Sequence, residues 1–229
     1  MKNILQYLLA LFLMVCSACS KSDDTGNPTI PGGGASSSSY WPLAVGNTWN
    51  LVNLNDPEDK SVYLLHKTVE HSGKTYFQIK PVGTNAKVEL TNGIREEDGI
   101  FYELHGATSA MGVNTSAGVI TSINTKLPVG ATWKEDLTIT VSGMASGTIK
   151  HSNEGKILAK SSSESIQGKT YKDVIKVETK KTVRNSISGQ SLTLVYETWL
   201  CKSVGIIYEK TTYNGTHADQ YQLVNYVLK

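Results

Sequence analysis

The chain has 229 residues, 39% hydrophobic and 18% charged, with 22 Lys and Arg against 20 Asp and Glu. That balance excludes an intrinsically disordered chain, and it excludes a global field that would steer nucleic acid toward the protein. Tyr, Thr, Ser and Val are abundant, and the usual helix formers thin out after residue 20, so a β protein is expected.

The chain begins Met1-Lys2-Asn3 and then runs uncharged from Ile4 to Val15. A positive start, a short apolar segment and small residues after it make an export signal. At roughly 12 residues the run is shorter than the ~20 that span a bilayer as a helix. Ser17 and Ala18 precede Cys19, and this stretch resembles the lipobox of bacterial lipoproteins, in which the Cys is lipidated and becomes the mature N-terminus. Cys16 stands where that family usually carries an aliphatic residue.

The resemblance implies a signal peptide over residues 1–18, lipidation at Cys19, and a membrane as partner through acyl chains such as palmitate. A redox or metal reading of Cys16-x-x-Cys19 needs both thiols in the mature protein. A zinc site would want two further ligands close by, and none lies within about the next 45 residues. Ser20-Lys21-Ser22-Asp23-Asp24 resembles the lysine-plus-acidic surface-export signal of lipoproteins in Bacteroidota-like bacteria. It implies an outer-membrane protein displayed at the cell surface, with the periplasmic face as the alternative.

From Thr25 to Ser39 the chain is rich in Gly, Ser and Pro, and it reads as a tether completing a segment of residues 19–39. A single β domain follows over residues 40–229. Its pattern is period two. Tyr171, Ile175 and Val177 share one face, Lys172, Lys176, Glu178 and Lys180 the other, and Val174 breaks the alternation. Leu192, Leu194 and Tyr196 form another such face, as do Tyr221, Leu223 and Val227. Asn92-Gly93, Asp98-Gly99 and Asn214-Gly215 are strong two-residue hairpin signals. Ser72-Gly73, Glu154-Gly155, Gln167-Gly168 and Ser188-Gly189 are weaker ones.

The expected fold is all-β, a strongly curved antiparallel meander or open barrel of ~10 to 13 strands, with a two-layer β-sandwich as the alternative. Val45-Gly46-Asn47-Thr48-Trp49 and Val129-Gly130-Ala131-Thr132-Trp133 share a Val-Gly-x-Thr-Trp signature. The echo is either an internal duplication or one kind of turn used twice, and the second is expected because the halves share no further similarity: Gly permits the turn, and Trp then starts a strand with its ring in the core.

The first copy lies in Tyr40-Trp41-Pro42-Leu43-Ala44-Val45-Gly46-Asn47-Thr48-Trp49. Later come Gly168-Lys169-Thr170-Tyr171-Lys172-Asp173-Val174-Ile175-Lys176-Val177 and, after Trp199, Val204-Gly205-Ile206-Ile207-Tyr208. In this order the segments resemble a family of secreted and lipid-anchored bacterial β proteins of unknown function. The resemblance implies one large curved antiparallel sheet, distantly similar to periplasmic lipoprotein-carrier folds, and it brings no catalytic residues.

The chemistry-bearing residues are sparse. His66, His71, His105, His151 and His217 form no H-E-x-x-H motif and are expected as exposed strand or turn residues. Gly106 to Gly112 lacks the context of a nucleophile elbow and reads as a mobile loop. Asp56-Pro57-Glu58-Asp59 and Glu96-Glu97-Asp98 read as solvated turns, with calcium binding the sharper alternative. Cys201 reads as buried and inert, with an intermolecular disulfide or a reactive thiol as the alternatives. Trp41, Trp49, Trp133 and Trp199 are expected mainly in the core, and a glycan-stacking platform or an apolar ligand cavity is the other use for them. No catalytic, cofactor or metal site is assigned.

Three functions fit: a non-catalytic binding or assembly module for a glycan, lipid or protein, a periplasm-facing carrier of a lipid or other apolar ligand, and a polysaccharide- or peptide-acting enzyme with carboxylates gathered from separate strands.

Overall fold

The computed structural model describes residues 38–80, 92–215 and 217–229. The expected signal peptide, the expected lipidation site Cys19 and nearly all of the expected tether lie outside the described residues. The strands are β1 (Thr48–Asn53), β2 (Lys60–His71), β3 (Lys74–Ile79), β4 (Gly93–Glu97), β5 (Ile100–His105), β6 (Thr108–Ala110) and β7 (Val113–Thr115). They continue as β8 (Gly118–Asn124), β9 (Thr132–Gly143), β10 (Gly147–Ile166), β11 (Lys169–Asn185), β12 (Ser191–Cys201), β13 (Gly205–Tyr213) and β14 (His217–Val227). Among the described residues there is no helix.

All 14 strands belong to one open antiparallel sheet in the order β6-β7-β9-β10-β11-β12-β13-β14-β1-β2-β3-β4-β5-β8. The order forces curvature. β6 and β8 are its opposite edges, yet only Gly106 and Ala107 separate β5 from β6, and only Ser116 and Ala117 separate β7 from β8. Three residue steps reach about 11 Å. The two ends of the sheet must therefore curl round until they lie side by side.

No β-ladder joins them. Instead the Thr121 amide of edge strand β8 donates to Glu135 Oε2 on β9 at 2.8 Å, and its carbonyl accepts from Asn153 Nδ2 on β10 at 3.0 Å. Two side chains thus satisfy edge groups that would otherwise face the interior unpaired.

The curl encloses the core. Trp49, Leu65, Ile157, Ile175 and Ile207 have no exposed surface, and Phe101, Leu51 and Val177 have almost none. Trp41 packs edge-on to Trp49, with ring centroids 6.1 Å apart. For a ring of about 200 Å², burial at roughly 25 cal/mol per Å² contributes about 5 kcal/mol as an upper bound.

The repeated signature folds the same way twice. Gly46 donates its amide to Leu65 O at 2.7 Å, Asn47 to Ala44 O at 3.1 Å, and Leu65 to Asn47 O at 2.9 Å. At the second copy Gly130 donates to Ile157 O at 2.8 Å, Ala131 to Pro128 O at 3.1 Å, and Ile157 to Ala131 O at 3.1 Å. Each Trp then lies over a glycine of another strand: Trp49 over Gly205 and Trp133 over Gly155. The first copy is stapled further. Trp49 Nε1 donates to Val204 O at 2.7 Å, Asn47 Nδ2 to Pro42 O at 2.8 Å, and the Lys229 amide to Asn47 Oδ1 at 2.8 Å.

Most turn signals hold. Ser72-Gly73, Asp98-Gly99, Gln167-Gly168 and Asn214-Gly215 all take positive φ at both residues. Two do not hold. Asn92-Gly93 leads into β4, with Gly93 opposite Leu104, and Glu154-Gly155 lies inside β10. Gly155 serves packing there, since a Cβ would stand 2.0 Å from the Trp133 ring. The segment 106–112 contains β6 and a Met111-Gly112 hairpin turn, so a strand and tight turn stand where a loop was expected. The exception at Val174 is a bulge: Asp173 has φ 54, the β10–β11 register slips beside it, and Val174 and Ile175 are both fully buried.

Gly205 separates two costs that glycine avoids. Its φ is +109 and an added Cβ would meet Trp49 Nε1 at 2.4 Å, whereas Gly168 has φ +73 and open space. Gly168→Ala is expected to cost about 1 kcal/mol from backbone strain alone, and Gly205→Ala about 3 kcal/mol or more because the indole must also move. Urea unfolding of the two variants, at unchanged m, measures the difference.

Candidate functional site

Side chains that meet across non-neighbouring strands must lie on the enclosed face, and one polar cluster does so. Lys181 of β11 pairs with Glu103 of β5, Nζ to Oε2, at 2.5 Å. His105, two residues along β5 and so on the same face, places Nε2 3.4 Å from Glu103 Oε1. Its ring stacks on His151 of β10 at 4.2 Å between centroids, with the planes tilted by 39°. The Lys181 ammonium also lies 5.6 Å from the centre of the Tyr196 ring on β12. Further round the curl, Tyr63 of β2 donates its hydroxyl to Glu209 Oε1 of β13 at 3.0 Å.

The protonation states follow from the surroundings. Burial pushes the Glu103 carboxyl up, but Lys181 and then His105 outweigh it and hold the group at about 2. Burial, then the adjacent His105, pushes His151 down to about 4. His105 is lowered by burial, with Glu103 partly compensating. Burial raises Glu209, against the Tyr63 hydrogen bond and the Lys181 charge. Near neutral pH the cluster is therefore one ion pair flanked by two neutral imidazoles. Water still reaches it: 24% of the Glu103 side chain and 20% of Lys181 remain accessible.

The expectation of exposed histidines holds for His66 and fails for His105 and His151, which lie partly buried on the enclosed face. Strand spacing could place Glu103 and His105 on one face, but nothing local could bring them to His151 and Lys181. The acidic turns are occupied locally. Asp59 accepts from Asn53 Nδ2 at 2.8 Å and Tyr221 Oη at 2.7 Å, Glu96 from the Gly99 amide at 2.7 Å, and Glu97 pairs with Lys74 and Arg95.

Trp41 and Trp49 are core residues, while Trp133 and Trp199 are partly exposed. Trp199 sits in a cross-strand stack on the outer face. The Lys176 ammonium lies 3.7 Å from its ring centre, Tyr208 packs at 4.4 Å, and its Nε1 donates to Glu197 Oε1 at 2.8 Å. These neighbours use much of the indole as packing surface. Cys201 is 4% exposed, with Sγ 3.2 Å from Lys172 O, and burial, aided by Asp173, pushes its thiol up to about 11.

No protein-family model matches the chain, and no curated protein matches it. Two crystal structures are similar in outline. One is a candidate lipoprotein from Parabacteroides distasonis, 11% identical, with a TM-score of 0.48 over 83% of this chain and 99% of that one. The other is a candidate exported protein with a YmcC-like fold from Bacteroides fragilis, 10% identical, with a TM-score of 0.47 over 83% of this chain and 100% of that one.

Two outcomes test the cluster and the thiol. Glu103→Gln leaves the Lys181 charge enclosed without its partner and is expected to lower stability by about 3 kcal/mol, while the double change Glu103→Leu with Lys181→Met recovers most of it. Chemical denaturation of the three proteins reads this directly. At pH 8 a thiol titrating near 11 is ionised in roughly one molecule per thousand, so Cys201 should resist alkylation in the folded chain and react fully in denaturant. Peptide mapping of the labelled protein reports on that residue alone.

Proposed function

We propose that the chain is an envelope lipoprotein, anchored at Cys19 in the outer membrane and displayed at the cell surface, whose β domain is a non-catalytic binding or assembly module. The observation that carries the module reading is the filled interior. Trp41, Trp49, Leu65, Phe101, Ile157, Val177 and Ile207 occupy the space inside the curl, where a carrier would keep room for an apolar ligand. Three carboxylates on the enclosed face are also engaged, Glu103 by Lys181, Glu209 by Tyr63 and Glu135 by the Thr121 amide, which weighs against an acid–base pair waiting for substrate. What remains to be offered to a partner is the outer surface and the water-accessible polar end of the enclosed face.

The anchoring half of the reading rests on the lipobox-like residues before Cys19 and on Lys21, Asp23 and Asp24 after it. Ser39, beside the point where the tether joins the domain, accepts a hydrogen bond from the Ser203 amide at 2.8 Å, which fixes the domain end nearest the anchor.

Treating intact cells with protease should remove the β domain and leave a diacylated or triacylated peptide starting at Cys19, identified by mass spectrometry. A domain protected until the outer membrane is permeabilised would move the protein to the periplasmic face, and an unmodified Cys19 would overturn the anchoring reading.

A further inference from the structure

The polar cluster sits at the mechanical weak point of the sheet. Every other strand boundary is a backbone ladder, but β5 and β8 are held to β9, β10 and β11 by side chains, across a seam the ladder does not close. The two imidazoles are stacked at 4.2 Å within this seam, on the same side as the Lys181 ammonium. If both were protonated, three cations would share one carboxylate, Glu103.

We propose that this seam is a pH-sensitive clasp: protonation of the His105–His151 pair beside Lys181 releases β5 and β8 from the faces of β9, β10 and β11, while the ladder from β11 to β14 stays intact.

The groups facing the pair decide the direction. From β5 comes Glu103, from β9 Glu135, from β11 Lys181, and further round the curl Tyr196 of β12, Glu209 of β13 and Tyr63 of β2. Glu103 is the carboxylate that contacts His105, and its other oxygen is held by Lys181. Glu135 is occupied by the Thr121 amide. Opening moves the imidazoles apart and into water, so the opened form accepts protons more readily, and acid shifts the balance toward it.

Both histidines titrate lower in the folded chain than the usual 6.5. The stability they protect is full above that value and declines as pH falls, for His151 until about 4. Glu103, held at about 2, adds its own loss only below the ordinary carboxylate range. The window in which the histidines act is therefore between roughly pH 6.5 and 4.5. The clasp does not depend on the lipoprotein reading.

Hydrogen exchange of the full chain, read by mass spectrometry and corrected for intrinsic rates, tests it. Going from pH 7.5 to 5, protection in residues 100–105 and 118–124 should fall at least tenfold while residues 194–213 keep theirs, and His105→Asn with His151→Asn should abolish the difference. Equal protection of residues 118–124 at both pH values, a loss shared by every strand, or an unchanged loss in the double variant would overturn the clasp. Should that variant fail to fold, exchange at the imidazole C2 positions of the wild-type protein gives the protonation midpoints. They must coincide with the opening midpoint, and separation by more than one pH unit would sink the idea.

Discussion

The structure depends on two connections of two residues each, Gly106-Ala107 and Ser116-Ala117, which tie together the opposite edges of a sheet of 14 strands. Lying flat, strands 4.8 Å apart would put those edges roughly 60 Å away from each other. The chain can satisfy the connections only by curling the sheet upon itself, and the curl creates an inside. From that inside follow the apolar core, the polar cluster and the need to satisfy the backbone of β8 by means other than a strand partner.

Curvature of this kind needs places where the ladder can bend, and bulges and register slips supply them. Register slips occur between Asn50 and Leu51, between Leu65 and Lys67, between Phe101 and Tyr102, and three times in β10 between Ile157 and Glu164. The slips in β10 serve a second purpose. Beyond Ile157, whose carbonyl and amide still bond Gly130 and Ala131, that strand is paired by β11 alone, so its outer edge has no strand partner among the described residues. A ladder broken three times is a poor template for strand addition, and Lys160 and Glu164 on the same stretch discourage it further.

The parts legible in the sequence were those governed by neighbours in the chain. Alternation found the strands, and positive-φ dipeptides found four turns, because a type I′ turn leaves its signature within two residues. The Val-Gly-x-Thr-Trp echo was legible as one turn used twice, and both copies make the same three backbone hydrogen bonds. What was hidden is why the distant Val204-Gly205 accompanies the first copy: the Trp49 ring rests on Gly205 and its indole nitrogen holds Val204. Glu154-Gly155 was misread for the same reason, since a glycine kept for a tryptophan to lie on looks locally like a glycine kept for a turn. The Glu103, His105, His151 and Lys181 cluster was illegible because its members come from three strands whose meeting is set by the curl. No local spacing encodes that.

A buried charge pair is a poor stabiliser when compared with apolar groups of the same shape, so its presence at this seam needs a different argument. Ladders fix register through repeated backbone hydrogen bonds, and the seam has none between β8 and the faces it touches. An apolar contact there would tolerate sliding by two residues, because alternate positions on a strand are equivalent to an oily surface. Glu103 with Lys181 and Thr121 with both Glu135 and Asn153 tolerate no such shift: displaced by one pair, each would leave a charged or polar group enclosed without its partner, at a cost of several kcal/mol. Polar contacts therefore supply at the seam the specificity that the ladder supplies elsewhere. They also make it a boundary held by side chains that titrate, whereas the backbone bonds of a ladder do not.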